Sequence, residues 1–138
     1  MMDMRLEAII LPVTDVDRAK EFYERAGFDL DVDHARGDSF RVVQYTPPGS
    51  ACSIIFGVGL GAVPATAVVG MHLVVTNVEK AVSVLESRGI ETIPIHHMSL
   101  EGRFDGVDPA HTDYGTYSGF TDPDGNGWVL QEVGYVAD

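Results

Sequence analysis

Cysteine, basic side chains and long apolar runs are all scarce in this chain of 138 residues. The single cysteine, Cys52, excludes an internal disulfide, and its place in an apolar run is typical of a small core residue rather than a nucleophile. Only 9 Lys and Arg stand against 21 Asp and Glu, so the formal net charge is −12. That charge repels phosphate backbones and anionic membrane surfaces, so we expect no nucleic-acid and no membrane partner, whereas it permits a cationic ligand.

The apolar runs are too short to span a bilayer, since the longest lie at residues 51–56 and 67–69. The first residues contain no basic segment that leads into an apolar stretch, so we expect no secretory signal and a cytoplasmic protein. With 45% hydrophobic and 22% charged residues, the composition is typical of a soluble globular protein that can bury a core.

An internal repeat is the strongest pattern in the sequence. Val-Thr-Asp-Val-Asp-Arg-Ala at 13–19 returns as Val-Thr-Asn-Val-Glu-Lys-Ala at 75–81, an offset of 62 residues (75 − 13). Gly27 and Gly89 keep the same offset, and each stands where a helix needs a left-handed terminating residue. A shared register over this distance predicts two copies of one structural unit.

Each copy is predicted to contain one helix that follows the repeated motif. In the first helix, over 15–26, apolar residues recur every three or four positions and form one buried stripe. Thr14 with Asp17, and Thr76 with Glu79, fit capping boxes that would begin the two helices. Short runs of branched and aromatic residues predict strands at 5–13, 28–34, 40–45, 51–56, 69–75, 90–97, 114–121 and 128–133.

The predicted elements give an α+β fold of two tandem βαβββ modules. We place the first module at 1–57, a Gly/Ala/Pro-rich linker at 58–68 and the second module at 69–138. The segment 98–113 has no apolar period, and we expect it to be a long loop that covers a cavity.

These features resemble the vicinal oxygen chelate superfamily, which includes glyoxalase I, bleomycin-resistance proteins and extradiol dioxygenases. The resemblance rests on the duplicated unit, on Val-Thr-Asp-Val-Asp-Arg-Ala-Lys-Glu-Phe-Tyr at 13–23 with Gly27, and on the Asp-Pro-Asp-Gly-Asn turn at 122–126. It implies a curved, mixed eight-stranded sheet whose two half-barrels surround a cavity. The features are shared by members of different activity, so they indicate a fold more than a function.

The resemblance also implies positions for the metal ligands of metal-dependent members. These positions fall on Ala8 and Gly70, on Val129, and within Ser53-Ile54-Ile55, which offer at most one hydroxyl group. A divalent metal needs several His or carboxylate donors, so we predict no cofactor. A β-bulge could instead bring Glu7, His72 and Glu132 together, which leaves a metal with displaced ligands open.

His72 is the main candidate for a functional side chain. Strand alternation places it on the face of Gly70, so its imidazole is expected to reach the cavity as a ligand contact or as an acid or base. Gln131 shares the face of Val129 by the same rule, and both are ligand-binding candidates, as are Gln44 and Tyr117. Glu132 is otherwise expected to face solvent, and His111 to be exposed in a loop.

Two functions follow from these candidates. The first is a protein that binds a small organic molecule in a metal-free cavity, for example to sequester an antibiotic or secondary metabolite. The second is a glyoxalase-like enzyme, or an isomerase or lyase that uses His72 as acid or base. A subunit whose site is completed by a partner is a third, and a homodimer is expected in every case, because open half-barrels expose sheet edges.

Overall fold

The computed structural model describes residues 2–137 and contains two helices and nine strands in that range. The chain divides into two compact units: the residues up to Val68 with Asp122–Asn126, and Val69–Thr121 with the residues from Gly127 onward. The α+β class with two modules is confirmed. Neither helix of the described chain has the length and apolar character that crossing a membrane requires.

The first unit contains β1 (Ala8–Ile10), α1 (Val16–Ala26), β2 (Asp29–Arg36), β3 (Phe40–Thr46) and β4 (Ser53–Val58). Its sheet has the order β1-β4-β3-β2, with β1 parallel to β4 and the other pairs antiparallel. The core lies between α1 and this sheet, where Tyr23, Tyr45 and Phe56 are fully buried with ring centroids about 6 Å apart. Burial and the neighbouring Glu24 raise the pKa of Tyr45, whose hydroxyl donates to that carboxylate at 2.8 Å.

The second unit contains β5 (Met71–Val75), α2 (Val78–Ser87), β6 (His96–Ser99), β7 (Gly102–Asp105), β8 (Thr116–Thr121) and β9 (Gly127–Glu132). Its sheet has the order β5-β9-β8-β6-β7, so it repeats the first topology and adds β7 at one edge. The strand count therefore differs from the eight expected. The expected long loop at 98–113 is wrong in its first half, because β6 and β7 form a hairpin there.

Both helices begin one residue later than the capping-box prediction, which is therefore wrong. The N-cap residues are Asp15 and Asn77, whose side-chain oxygens accept from the backbone N–H of Arg18 and Lys80 at 3.1 and 3.0 Å. Thr14 instead donates its N–H and its hydroxyl to the carboxylate of Asp124. The glycines behave as predicted, since Gly27 and Gly89 have φ of 90° and 81°.

The Asp-Pro-Asp-Gly-Asn turn is held inside the first unit. The hydroxyl of Tyr23 donates to Asp122 at 2.8 Å, and the side chain of Asn126 donates to the carbonyl of Pro12 and accepts from the N–H of Val68. Asp122 and Asn126 are buried, with exposed fractions of 4% and 0%. These partners explain why the buried residues of the turn can be polar, because a buried polar group without a hydrogen bond lowers the stability of the fold by about 1–3 kcal/mol.

Candidate functional site

The two faces of the second sheet differ in what covers them. Helix α2 packs on β8 and β9, and the side chains on that face are buried, among them Trp128, Leu130 and Ser118. The opposite face, which we call the open face, is not covered by the helix of this unit within the described residues. Along β9, burial alternates residue by residue, so Val129 and Gln131 lie on the open face.

Strand pairing places the predicted site residues of this unit together on the open face. His72 on β5 pairs with Val129, and Tyr117 on β8 pairs with Gln131. Paired residues of neighbouring strands point to the same side of a sheet, so these four side chains are neighbours. Gln44 belongs to the first unit, where its amide donates to the hydroxyl of Ser53 at 3.3 Å.

A cavity of about 380 Å³ opens at one end of the open face. Its walls include Gly70, Gly119, Gly127 and Val129, and the segment 91–93 closes one side. Ile93 reaches this place because its N–H donates to the carbonyl of Gly119 at 2.9 Å. The volume falls in the range of about 300–1,000 Å³ that small-molecule sites occupy.

Glycine at 119 is required by the sheet itself. A Cβ added there would lie 2.5 Å from the carbonyl oxygen of Trp128, closer than real Cβ contacts come. At Gly127 the atom nearest to an added Cβ would be Cγ1 of Val69 at 3.4 Å, an ordinary contact. Both glycines leave the cavity without a side chain at their positions. The sheet requires glycine at 119, whereas it would also accept a larger residue at 127.

The positions that the resemblance assigns to metal ligands do not fit a divalent metal. Gly70 and Val129 line the cavity without a donor atom, and in the first unit Ala8 has none. The hydroxyl of Ser53 lies 2.6 Å from that of Thr46, within the first sheet. Within residues 2–137, no three His, Cys, Asp or Glu side chains are grouped so that they could hold a metal ion.

The alternative trio is divided by the sheet. Glu7 belongs to the first unit, and in the second unit His72 lies on the open face whereas Glu132 lies on the helix side. Glu132 is 1% exposed, so the expectation that it faces solvent is wrong. Its carboxylate accepts from the N–H of Val78, the first residue of α2, at 3.0 Å and from Nδ1 of His111 at 2.8 Å.

His111 is accordingly more enclosed than expected. Its ring stacks on that of Tyr135 with centroids 3.5 Å apart, and its side chain is 24% exposed. Its φ of 48° lies in the left-handed region, which a non-glycine residue adopts only where its surroundings hold it. The hydrogen bond to Glu132 and the stacking on Tyr135 fix this conformation.

His72 has one defined hydrogen bond. Its Nδ1 lies 2.8 Å from the carbonyl oxygen of Gly70, and because a carbonyl oxygen only accepts, Nδ1 must carry the proton. In the neutral ring, Nε2 then has a free lone pair. The side chain can therefore accept a hydrogen bond or take up a proton at Nε2.

His96 is a residue of the open face that was not among the site residues predicted from the sequence. It pairs with Tyr117 across β6 and β8, and the two rings stack with centroids 5.7 Å apart. His97 points to the other side and stacks on Phe104. The pairing of β6 with β8 was the missing information, because alternation alone could not say which of the two histidines faces inward.

Cys52 is not activated as a nucleophile. Burial, with a smaller contribution from Glu7, raises the pKa of the thiol above its ordinary value. Since the thiolate is the reactive form, the structure supports the sequence interpretation of a structural thiol.

Comparisons with known proteins agree on one family. The family model for the Glyoxalase/Bleomycin resistance protein/Dioxygenase superfamily matches residues 5–130. Comparison with curated proteins gave no match.

Three solved structures illustrate the likeness. The antibiotic binding protein TnmS3 from Streptomyces sp. CB03234 is 28% identical, with a TM-score of 0.71 over 96% of this chain and 98% of that one. A glyoxalase/bleomycin resistance protein from the same organism is also 28% identical, with a TM-score of 0.67 over 93% of this chain and 100% of that one. A superfamily member from Sphaerobacter thermophilus DSM 20745, 23% identical with a TM-score of 0.68 over 96% and 99% of the two chains, shares the fold.

Proposed function

Because the chain belongs to the Glyoxalase/Bleomycin resistance protein/Dioxygenase superfamily, we propose that it binds a small organic molecule, an antibiotic or secondary metabolite, without a metal in the cavity of its open face. The observation that carries the proposal is the cavity of about 380 Å³ whose walls include Gly70 and Val129. At these positions metal-dependent relatives are expected to hold ligands, and here they leave apolar space. Sites for small molecules are mostly apolar with a few polar groups, and His72 and Gln131 supply such groups next to Val129, on the open face outside the cavity lining.

A similar structure supports the choice of ligand class. TnmS3 is an antibiotic binding protein, and the likeness to it extends over nearly the whole of both chains. Sequestration requires a cavity and no reacting group, so the absence of a metal-donor set at the family positions is compatible with it. The charge of −12 favours ligands that are neutral or cationic.

The test is a thermal-shift screen of antibiotics and aromatic secondary metabolites. A ligand at roughly 100 times its Kd stabilises the folded protein by about 2.7 kcal/mol, which raises Tm by on the order of 10 °C. Val129→Trp fills the cavity and should abolish the shift. Val84→Trp is the matched control, because Val84 lies on α2 with 38% exposure and should leave the shift unchanged. A ligand whose shift survives Val129→Trp binds elsewhere and contradicts the proposal, as does a screen without any shift.

An acid–base enzyme is the second candidate function, favoured by the free Nε2 of His72, whose strand partner Val129 lines the cavity. Mass spectrometry of each ligand after incubation separates the two functions. A ligand recovered unchanged supports binding alone, whereas a ligand converted by the wild type and not by His72→Ala supports an isomerase or lyase. Conversion that persists in His72→Ala excludes this residue as the acid or base.

We also propose a cytoplasmic homodimer. All of β2 is exposed along its length, including Leu30 at 43% and Val32 at 39%, and pairing of chains is a common way to cover such an edge strand. An unpaired cysteine fits a reducing compartment. Light scattering that gives a monomer mass at micromolar concentration would contradict the dimer.

A further inference from the structure

We propose that the open face prefers ligands whose edge carries hydrogen-bond donors, hydroxyl or amino groups, over the same molecules with those groups alkylated. This inference rests on the proposed function and adds the polarity of the ligand. It follows from the hydrogen bonds that the polar side chains of the face already make.

Gln131 is oriented by two neighbours. Its Nε2 donates to the carbonyl oxygen of Tyr114 at 3.4 Å and to the hydroxyl oxygen of Tyr117 at 3.2 Å. Since a carbonyl oxygen only accepts, the amino end of the amide must face Tyr114. Both N–H groups are then engaged, and Oε1 is the end left for a ligand, because no hydrogen bond to it occurs within residues 2–137.

The histidines of the face are oriented in the same sense. His72 uses Nδ1–H on the carbonyl of Gly70 at 2.8 Å, and His96 uses Nδ1–H on the carbonyl of Pro94 at 3.2 Å. Each neutral ring therefore presents Nε2 as an acceptor. Three side chains on one face, on β5, β6 and β9, thus offer acceptors, whereas the hydroxyl of Tyr117, whose oxygen accepts from Gln131, is the single donor that these four side chains leave for a ligand in the described part of the chain.

The geometry suits a ligand that lies across the strands. His72 pairs with Val129, so Gln131 lies on the neighbouring strand and two residues further along. The Cα atoms of His72 and Gln131 are therefore separated by roughly 8 Å. A ligand seated in the cavity beside Val129 can extend toward both. If it brings acceptors, each of these lone pairs that the ligand shields from water is left unpaired, which weakens binding by on the order of tenfold.

The experiment compares dihydroxynaphthalene isomers with their dimethyl ethers, which keep the rings and replace each donor by an acceptor. Titrations followed by NMR, at a pH where histidine side chains are neutral, should give at least tenfold tighter binding of the dihydroxy compounds, with shifts at His72 and Gln131. Gln131→Glu keeps an acceptor oxygen and should keep the preference, whereas Gln131→Leu should reduce it.

Three outcomes separate the two proposals. Equal affinity of the ethers at the open face overturns the donor requirement and leaves the binding function standing. Failure of all probes to shift open-face resonances overturns the donor requirement and counts against binding of aromatic molecules there. Independently of any ligand, nitrogen-15 spectra should show a pyridine-type Nε2 in neutral His72, and a protonated Nε2 would refute the assignment.

Discussion

Glu132 offers the sharpest test of the second unit, because its buried carboxylate serves two partners. It accepts from the N–H of Val78 at the start of α2 and from Nδ1 of His111. Glu132→Ala removes a helix cap worth about 1 kcal/mol and a second hydrogen bond of similar worth, and leaves a buried N–H unsatisfied. We therefore expect the free energy of unfolding to fall by about 3 kcal/mol.

Two variants check this reasoning by urea denaturation. Glu132→Gln keeps an oxygen for the N–H of Val78 and should cost only about 1 kcal/mol, because one bond is kept. Glu79→Ala is the matched control, since Glu79 is exposed in the first turn of the same helix, and it should stay within about 0.5 kcal/mol of the wild type. Hydrogen exchange at the N–H of Val78 should quicken in Glu132→Ala alone. A loss in that variant no larger than in Glu79→Ala would refute the capping role.

Two further predictions concern the sheets. Arg41 holds the pKa of Asp33 well below its ordinary value, so Asp33→Asn should lower the free energy of unfolding by about 1 kcal/mol at neutral pH. Denaturation at several pH values should show this difference shrinking as pH falls below about 4, because the carboxylate stabilises the fold only while it is ionised. A difference that persists or grows in acid would contradict the ion pair. Gly119→Ala places a Cβ 2.5 Å from the carbonyl oxygen of Trp128 and should lower the free energy of unfolding, measured by calorimetry, by roughly 2–3 kcal/mol. Gly127→Ala is the control and should leave the stability nearly unchanged. Equal losses in the two variants would show that the close approach at Gly119 is not decisive.

The repeated motif made the fold predictable in detail. The first helix was expected over 15–26 and spans Val16–Ala26, because the spacing of its apolar residues reports the buried face directly. Along β9, Val129 and Gln131 share one face, as the alternation inferred from sequence predicted. Local periodicity carried this information, so no long-range contact had to be known.

What the sequence could not predict depends on residues far apart. The burial of Glu132 requires Val78, 54 positions away, and His111, 21 positions away, and neither partner is visible in the local pattern. The hairpin of β6 and β7 was missed because most of its residues are exposed, so no apolar alternation marks it as a pair of strands.

The duplication also indicates which polar side chains the fold does not need. The counterpart of His72 in the first unit is Ile10, at the offset of 62 (72 − 10). His72 pairs with Val129 and Ile10 pairs with Ile55, so Ile55 is the counterpart of Val129. Continuing this register through both sheets, the counterparts of His72, Gln131 and Tyr117 in the first unit are Ile10, Gly57 and Val42. The first sheet forms with the same topology and without any of these polar groups. Their presence in the second unit is therefore not a requirement of sheet formation, and this is consistent with the proposed ligand contacts on the open face.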